Sequence, residues 1–197
     1  MPWEKSFNED DALEKAMRVF WQKGYDSASI ADLINGTGIN RGSLYNAFGG
    51  KERLFIRALK RYDQDRKEML AELEALDDPR RAIEGFFEHL VSTTLADEEH
   101  KGCFLFNTAV DISSHGEKVQ GIVKNGVAEI EGFFRRCIEV GQARGAMPAA
   151  LDARDTAKAL LGLTIGIRVL GRGVYPEDAL RALATQATQL VEGQPER

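Results

Sequence analysis

The stretch SIADLINGTGINRGSLYNAF, residues 29–48, holds two helix starts separated by a glycine-bearing turn. Ser29 is a capping residue whose hydroxyl can accept from a first-turn amide, and Asp32 three positions later completes a capping-box pattern. Ile30, Leu33 and Ile34 supply the apolar face of a short helix that is expected to end near Asn35. Asn35-Gly36-Thr37-Gly38 reads as a turn. Asn40 caps the next short helix, where Leu44 and Phe48 lie one turn apart on one face and Arg41 and Tyr45 one turn apart on another. One face is set to pack and the other is left free.

Upstream, Asn8 followed by Glu9, Asp10 and Asp11 places acids at the positive end of a helix dipole. Leu13, Met17 and Phe20, with Ala16 beside them, form its apolar stripe, and Gly24 stops it. Downstream, Gly49-Gly50 breaks the chain before a long helix over about residues 51–76, with Leu54, Phe55, Ala58, Leu59, Tyr62, Met69 and Leu73 as its buried stripe. Asp78-Pro79 reads as an N-cap with proline at the first helical position. The remainder reads as helices over roughly 79–97, 103–112, 117–145, 153–171 and 176–192, with no strand alternation or hairpin signal competing. The expected fold is all-α: an N-terminal three-helix unit, residues 1–50, and a larger helical bundle, residues 51–197, with 51–76 as the connecting helix. Two short helices joined by a glycine turn make a helix-turn-helix, the arrangement that lays its second helix in the major groove of DNA.

Phe20, Gly24-Tyr25, Ser29, Ile30, Gly38-Ile39, Gly42, Leu44-Tyr45, Phe48, Lys51-Glu52 and Leu54-Phe55 follow in one unbroken register over about residues 10–60. Through these the chain resembles the TetR family of transcriptional regulators, the tetracycline-repressor-like proteins. The resemblance implies that Arg41, Gly42, Ser43, Tyr45 and Asn46 present the recognition surface to double-stranded operator DNA, and that Lys51 and Ser29 grip phosphates. The residue types suit those roles. Arg41 can make a bidentate contact to guanine or a phosphate, Tyr45 can meet a thymine methyl or donate to a phosphate, and Asn46 can pair with base edges. Three positions depart from the family's pattern: Ala28 stands where threonine is common, Ile34 where a small alanine sits at the helix crossing, and Asn46 where histidine is frequent. Ile34 predicts a slightly wider crossing of the two short helices.

Length and composition agree with a folded chain, since 197 residues with 43% hydrophobic and 29% charged can close one or two cores. The net charge of -5 is unevenly spread. Residues 1–62 carry ten Lys/Arg against eight Asp/Glu, whereas 63–197 carry sixteen against twenty-three, so only the first segment is suited to a polyanion. Cys103 and Cys137 are far apart and belong to no CxxC pair, which predicts reduced thiols. His89, His100 and His115 have no spacing that would build a metal site, and no cofactor motif appears. The opening Pro2-Trp3-Glu4 lacks the basic and apolar regions of a signal peptide, and no stretch approaches a membrane span, so a soluble cytoplasmic protein is expected.

For the C-terminal bundle, the resemblance implies a small-molecule effector site and a homodimer. Phe86, Phe87, Leu90, Phe104, Phe106, Phe133 and Phe134 cluster on the helices that would surround such a cavity, with His89, Asn107, Thr108 and Cys137 as polar or soft neighbours. Leu160 to Leu170 is almost apolar all round except for Thr164 and Arg168, which asks for cover on more than one side. Leu161, Gly162, Ile165 and Gly166, with Leu180, Leu183, Ala184, Ala187 and Leu190 on the last helix, are the expected four-helix dimer interface.

Two other readings stand beside a ligand-released repressor. Cys103, beside Lys101 at a helix start, permits redox or electrophile sensing. A helical small-molecule-binding module without DNA binding would also suit the acidic total, Ala28 and Ile34. An enzyme is not expected, because no G-x-S-x-G, Walker or dinucleotide loop is present and the Asp111/His115 pair, beside Gly116, belongs to no recognisable nucleophile motif.

Overall fold

The computed structural model describes residues 7–192, and every regular element among them is helical. In chain order these are α1 (Glu9–Lys23), α2 (Ile30–Thr37), α3 (Arg41–Phe48), α4 (Lys51–Glu74), α5 (Pro79–Leu95), α6 (Phe104–Val110), a single 3-10 turn (Ile112–Ser114), α7 (Glu117–Ala143), α8 (Ala153–Leu170) and α9 (Glu177–Glu192). The Pro2-Trp3-Glu4 opening lies outside the described residues. Among those described, no helix is long and apolar enough to cross a membrane.

Helix starts stand where capping chemistry puts them. Asn8 accepts from the amides of Asp10 and Asp11, Asn40 from that of Ser43, and Asp78 from those of Arg80 and Arg81 with Pro79 opening α5. At α2 the capping box is complete, Ser29 accepting from the Asp32 amide while Asp32 accepts from the Ser29 amide.

The end of α2 differs from expectation. The helix runs on to Thr37 and stops at Gly38, whose φ of 74° is left-handed, so the turn begins three residues later than Asn35. Gly36 is inside the helix because it lies against α1: a Cβ there would sit 2.4 Å from Cγ2 of Val19. The glycine that reads as a turn signal is a packing contact. Thr37 is buried and donates its hydroxyl to the Leu33 carbonyl at 2.5 Å, which satisfies it within the helix. On α4, Leu54, Phe55, Ala58 and Leu59 are buried as expected, but farther along Leu70 is the buried position and Met69 and Leu73 are half-buried.

The chain divides into two compact units, one of Met1–Gln64 with Phe104–Val123, the other of Asp65–Cys103 with Lys124–Arg197. The first is closed by aromatic rings. Phe55 meets Phe20 edge-on at 5.0 Å and Phe104 at 5.6 Å, while Trp21 stacks on Phe104 at 6.0 Å and meets Tyr62 edge-on at 5.0 Å. Complete burial of a side chain as large as these is worth about 1.5–3 kcal/mol. The second unit packs α5 on α8 and α9, and α8 on α9, and ties α4 to α7 through Arg136, which donates to Glu74, and Arg66, which pairs with Glu129.

Candidate nucleic-acid interface

Helix α3 turns Leu44 and Phe48 inward, leaving both essentially buried, and this fixes which face it shows to solvent. Arg41, Gly42, Tyr45 and Asn46 are exposed, Tyr45 by 44%, and Ser43 is half-buried. The Arg41 guanidinium lies over the Tyr45 ring, 5.7 Å from its centroid, so the two groups form one cationic, aromatic surface a helical turn long. Gly42 keeps the start of the helix slim, since a Cβ there would come within 3.3 Å of the Asn40 cap oxygen.

Gly49 and Gly50, at φ of 74° and 111°, reverse the chain between α3 and α4 in two residues, a path that side chains with a Cβ rarely take. The reversal brings Lys51 to the first position of α4. Its ammonium sits 4.5 Å from the centroid of the Tyr25 ring and donates to the Asp26 carbonyl at 3.3 Å. Ser29 is placed differently from the phosphate grip that the resemblance implies. Its amide and its hydroxyl both donate to the Asp32 carboxylate, at 2.9 and 2.7 Å, so its donors are already used in capping α2. Asp32 also accepts from Lys23 at 2.5 Å, and that bond, with those from Ser29, holds its carboxyl far below the usual carboxylate range. Ala28 is fully buried and offers DNA no group.

In the second unit, Phe86, Phe87, Phe133 and Phe134 do come together, but as a packed cluster. Phe134 lies 4.8 Å from Phe86 edge-on, 5.7 Å from Phe87 stacked and 5.4 Å from Phe133. Leu90 is buried and His89 is exposed on α5. Phe104, Phe106 and Asn107 do not join this group. They belong to the first unit, where Phe104 is held by Trp21, Phe55 and Tyr62, because α6 turns its aromatic face to those rings. A cavity of about 230 Å³ opens elsewhere in the second unit, with Pro79, Ala82, Cys137 and Val140 as its apolar lining and Glu74, Arg136, Asp77, Asp78 and Arg144 as its charged part. Of the residues expected around an effector, Cys137 alone lines it. Burial, with the Glu74 charge, pushes the Cys137 thiol up to about 12 against the opposing Arg136, so it stays protonated at neutral pH. Cys103 is a buried, reduced thiol.

The apolar residues of α8 and α9 split between inside and outside. Leu180 and Ala187 are 1% and 0% exposed and Leu161 is buried, so these three pack within their own bundle, where α9 packs on α5 and α8. Ile165, Val169 and Leu190 are exposed by 36%, 49% and 41%, Leu183 is half-buried, and a Cβ at Gly162 or Gly166 would meet nothing within 4 Å.

The comparisons with known proteins cover both units. "Bacterial regulatory proteins, tetR family" matches residues 12–58, and "Tetracyclin repressor-like, C-terminal domain" matches residues 79–192, more than half of the chain. The chain belongs to the TetR family. It is 29% identical over 173 residues to the HTH-type transcriptional repressor ComR of Escherichia coli (strain K12), covering 85% of this chain and 81% of that protein. BdcR, another HTH-type transcriptional repressor of the same organism, is 33% identical over 118 residues, 60% of this chain and 59% of its own. A solved structure of the TetR family regulator CifR, a cysteine mutant complexed with 26-base-pair operator DNA, superposes with a TM-score of 0.81 at 30% identity over 93% of this chain and 97% of that one. Members of this family are DNA-binding transcription factors rather than enzymes.

Arg57 of the TetR-type head escapes a reading of motifs, and Tyr25 is marked by one that does not show its role. Arg57 donates to the Ala47 carbonyl at 3.4 Å, lies over the Phe48 ring at 4.7 Å and pairs with Glu9 at 3.6 Å, so it ties the end of α3 to α1. Tyr25 carries the Lys51 ammonium. The Gly24-Tyr25 pair marks Tyr25 in the sequence, whereas Arg57 looks like any exposed helix cation.

Proposed function

We propose that the protein is a cytoplasmic, ligand-responsive transcriptional repressor that binds a roughly palindromic DNA operator as a homodimer and is released by a small-molecule effector. The exposed Arg41, Gly42, Tyr45 and Asn46 face of α3, flanked by Lys51, carries the reading. The α3 face offers a fork donor for guanine or phosphate and an amide for a base edge, and Lys51 at the start of α4 adds an ammonium for the backbone. That CifR, 30% identical to this chain, is solved in complex with operator DNA supports a DNA-binding role.

The homodimer rests on the outward stripe of Gly162, Ile165, Gly166 and Val169 on α8, with Leu183 and Leu190 of α9 beside it. Two glycines on an apolar helix face permit close approach of a second copy, and the two recognition helices then meet successive major grooves about 34 Å apart. An effector acts by favouring a dimer geometry that no longer fits that spacing.

Fluorescence anisotropy of the wild type and of Tyr45→Ala against duplexes from the DNA flanking its own gene tests the reading at two salt concentrations. The wild type should select one duplex with a Kd in the nanomolar range and weaken as salt rises, and Tyr45→Ala should lose that selection. Equal binding of every duplex by both proteins would overturn the proposal.

A further inference from the structure

His115, which the mechanism above does not use, is 8% exposed and lies against the rings of the DNA-reading unit. Its imidazole stacks on Phe55 almost parallel, 5.5 Å apart at 7°, and meets Tyr25 at 5.5 Å and 59°. Phe55 and Tyr25 are themselves 4.8 Å apart, so the three rings form a closed triangle. The Tyr25 ring in turn carries the Lys51 ammonium. The backbone around His115 is pinned: its amide donates to the Ile112 carbonyl at 3.3 Å, and its own carbonyl accepts from the Gln120 side chain at 2.8 Å. Gly116 follows, and a Cβ there would come within 3.7 Å of a Glu52 carboxylate oxygen on α4.

We propose that His115 is a positioning residue for the phosphate contact of Lys51, acting through Tyr25. A lysine has four rotatable bonds, and its ammonium reaches a phosphate at one place only when its stem is held. Here the aromatic face of Tyr25 and the Asp26 carbonyl hold it, and the angle of that ring is set by Phe55 and His115, which stack on each other and together lie against it. Without the imidazole, Tyr25 loses one of its two closest ring neighbours, and the ammonium is no longer directed to one point. The inference rests on the DNA-binding function proposed above.

Salt dependence reads the contact directly, because each phosphate neutralised adds about 0.9 to the slope of log affinity against log salt. With one Lys51 per subunit of a dimer, His115→Ala should lower the slope by about 1.8, so that its affinity falls about tenfold less than the wild type's between 50 and 200 mM salt. Lys51→Ala should show the same reduction, and His115→Ala in the Lys51→Ala background should add nothing to it. His115→Phe, which keeps a ring in the stack, should restore the wild-type slope. Thermal melts of the free variants separate a positional effect from loss of fold. A wild-type slope in a folded His115→Ala, with Lys51→Ala reduced, would overturn this inference and leave the DNA-binding reading intact. A His115→Phe that stays as low as His115→Ala would overturn it too. No salt-sensitive binding by the wild type would overturn both.

Discussion

Phe134 separates a packed core from an effector-lining surface, and Phe134→Ala puts that to a test. The ring is fully buried on α7 and lies within 6 Å, centroid to centroid, of Phe86, Phe87 and Phe133. Removing a ring so placed forfeits its transfer energy and leaves a void that rigid neighbours fill poorly, together about 3–5 kcal/mol. For a chain of this size each kcal/mol moves the midpoint by about 2–4 °C, so Tm should fall by about 6–20 °C. The assay is circular dichroism at one protein concentration, because the midpoint of a dimer depends on concentration. Phe134→Leu, which keeps most of the volume, should recover over half of the loss. A Phe134→Ala protein melting within about 2 °C of the wild type would refute the reasoning, since it would mean the ring already borders open space rather than three close-packed rings.

At the dimer face, Ile165→Asp should shift the protein from dimer to monomer in analytical ultracentrifugation and weaken operator binding at least tenfold, while its far-UV spectrum stays unchanged; a dimer of wild-type stability would refute the use of this face. At α2, the Asp32 carboxyl is held below its ordinary range by Lys23 and the Ser29 cap, so its contribution is present above the unfolded value near pH 4 and is lost as pH falls through the lower folded value. Asp32→Ala should therefore melt below the wild type at pH 7 and 5, and the gap should narrow in melts below about pH 4. A gap of constant size down to pH 3 would refute that assignment.

Where local chemistry decides, the sequence was legible. The caps Asn8, Ser29, Asn40 and Asp78 mark helix starts because a side chain and its amide partner lie within three residues of each other. The outward face of α3 follows from Leu44 and Phe48 alone, since one buried stripe fixes the opposite side. What escaped depends on distant partners. Gly36 reads as a turn until Val19 of α1 is placed against it. Phe104 and Phe133 look alike as apolar aromatics, yet one packs on Trp21 and the other on Phe86, and periodicity carries no information about which helix lies opposite. The stripe on α9 has the same ambiguity, its Leu180 and Ala187 serving the chain's own bundle while Leu190 faces outward. Ser29 is the converse case, a residue whose role as a cap was plain and whose engagement by Asp32 leaves no side-chain donor for a phosphate.

The DNA-reading unit is assembled from two pieces of chain, up to Gln64 and then Phe104–Val123, with some forty residues of the other unit between them. During synthesis its aromatic centre therefore waits: Trp21, Tyr25, Phe55 and Tyr62 emerge from the ribosome well before Phe104 and His115 arrive to cover them. An N-terminal fragment cut after α4 would leave those rings wet. A chimera that transplants this head onto another bundle has to carry residues 104–123 with it.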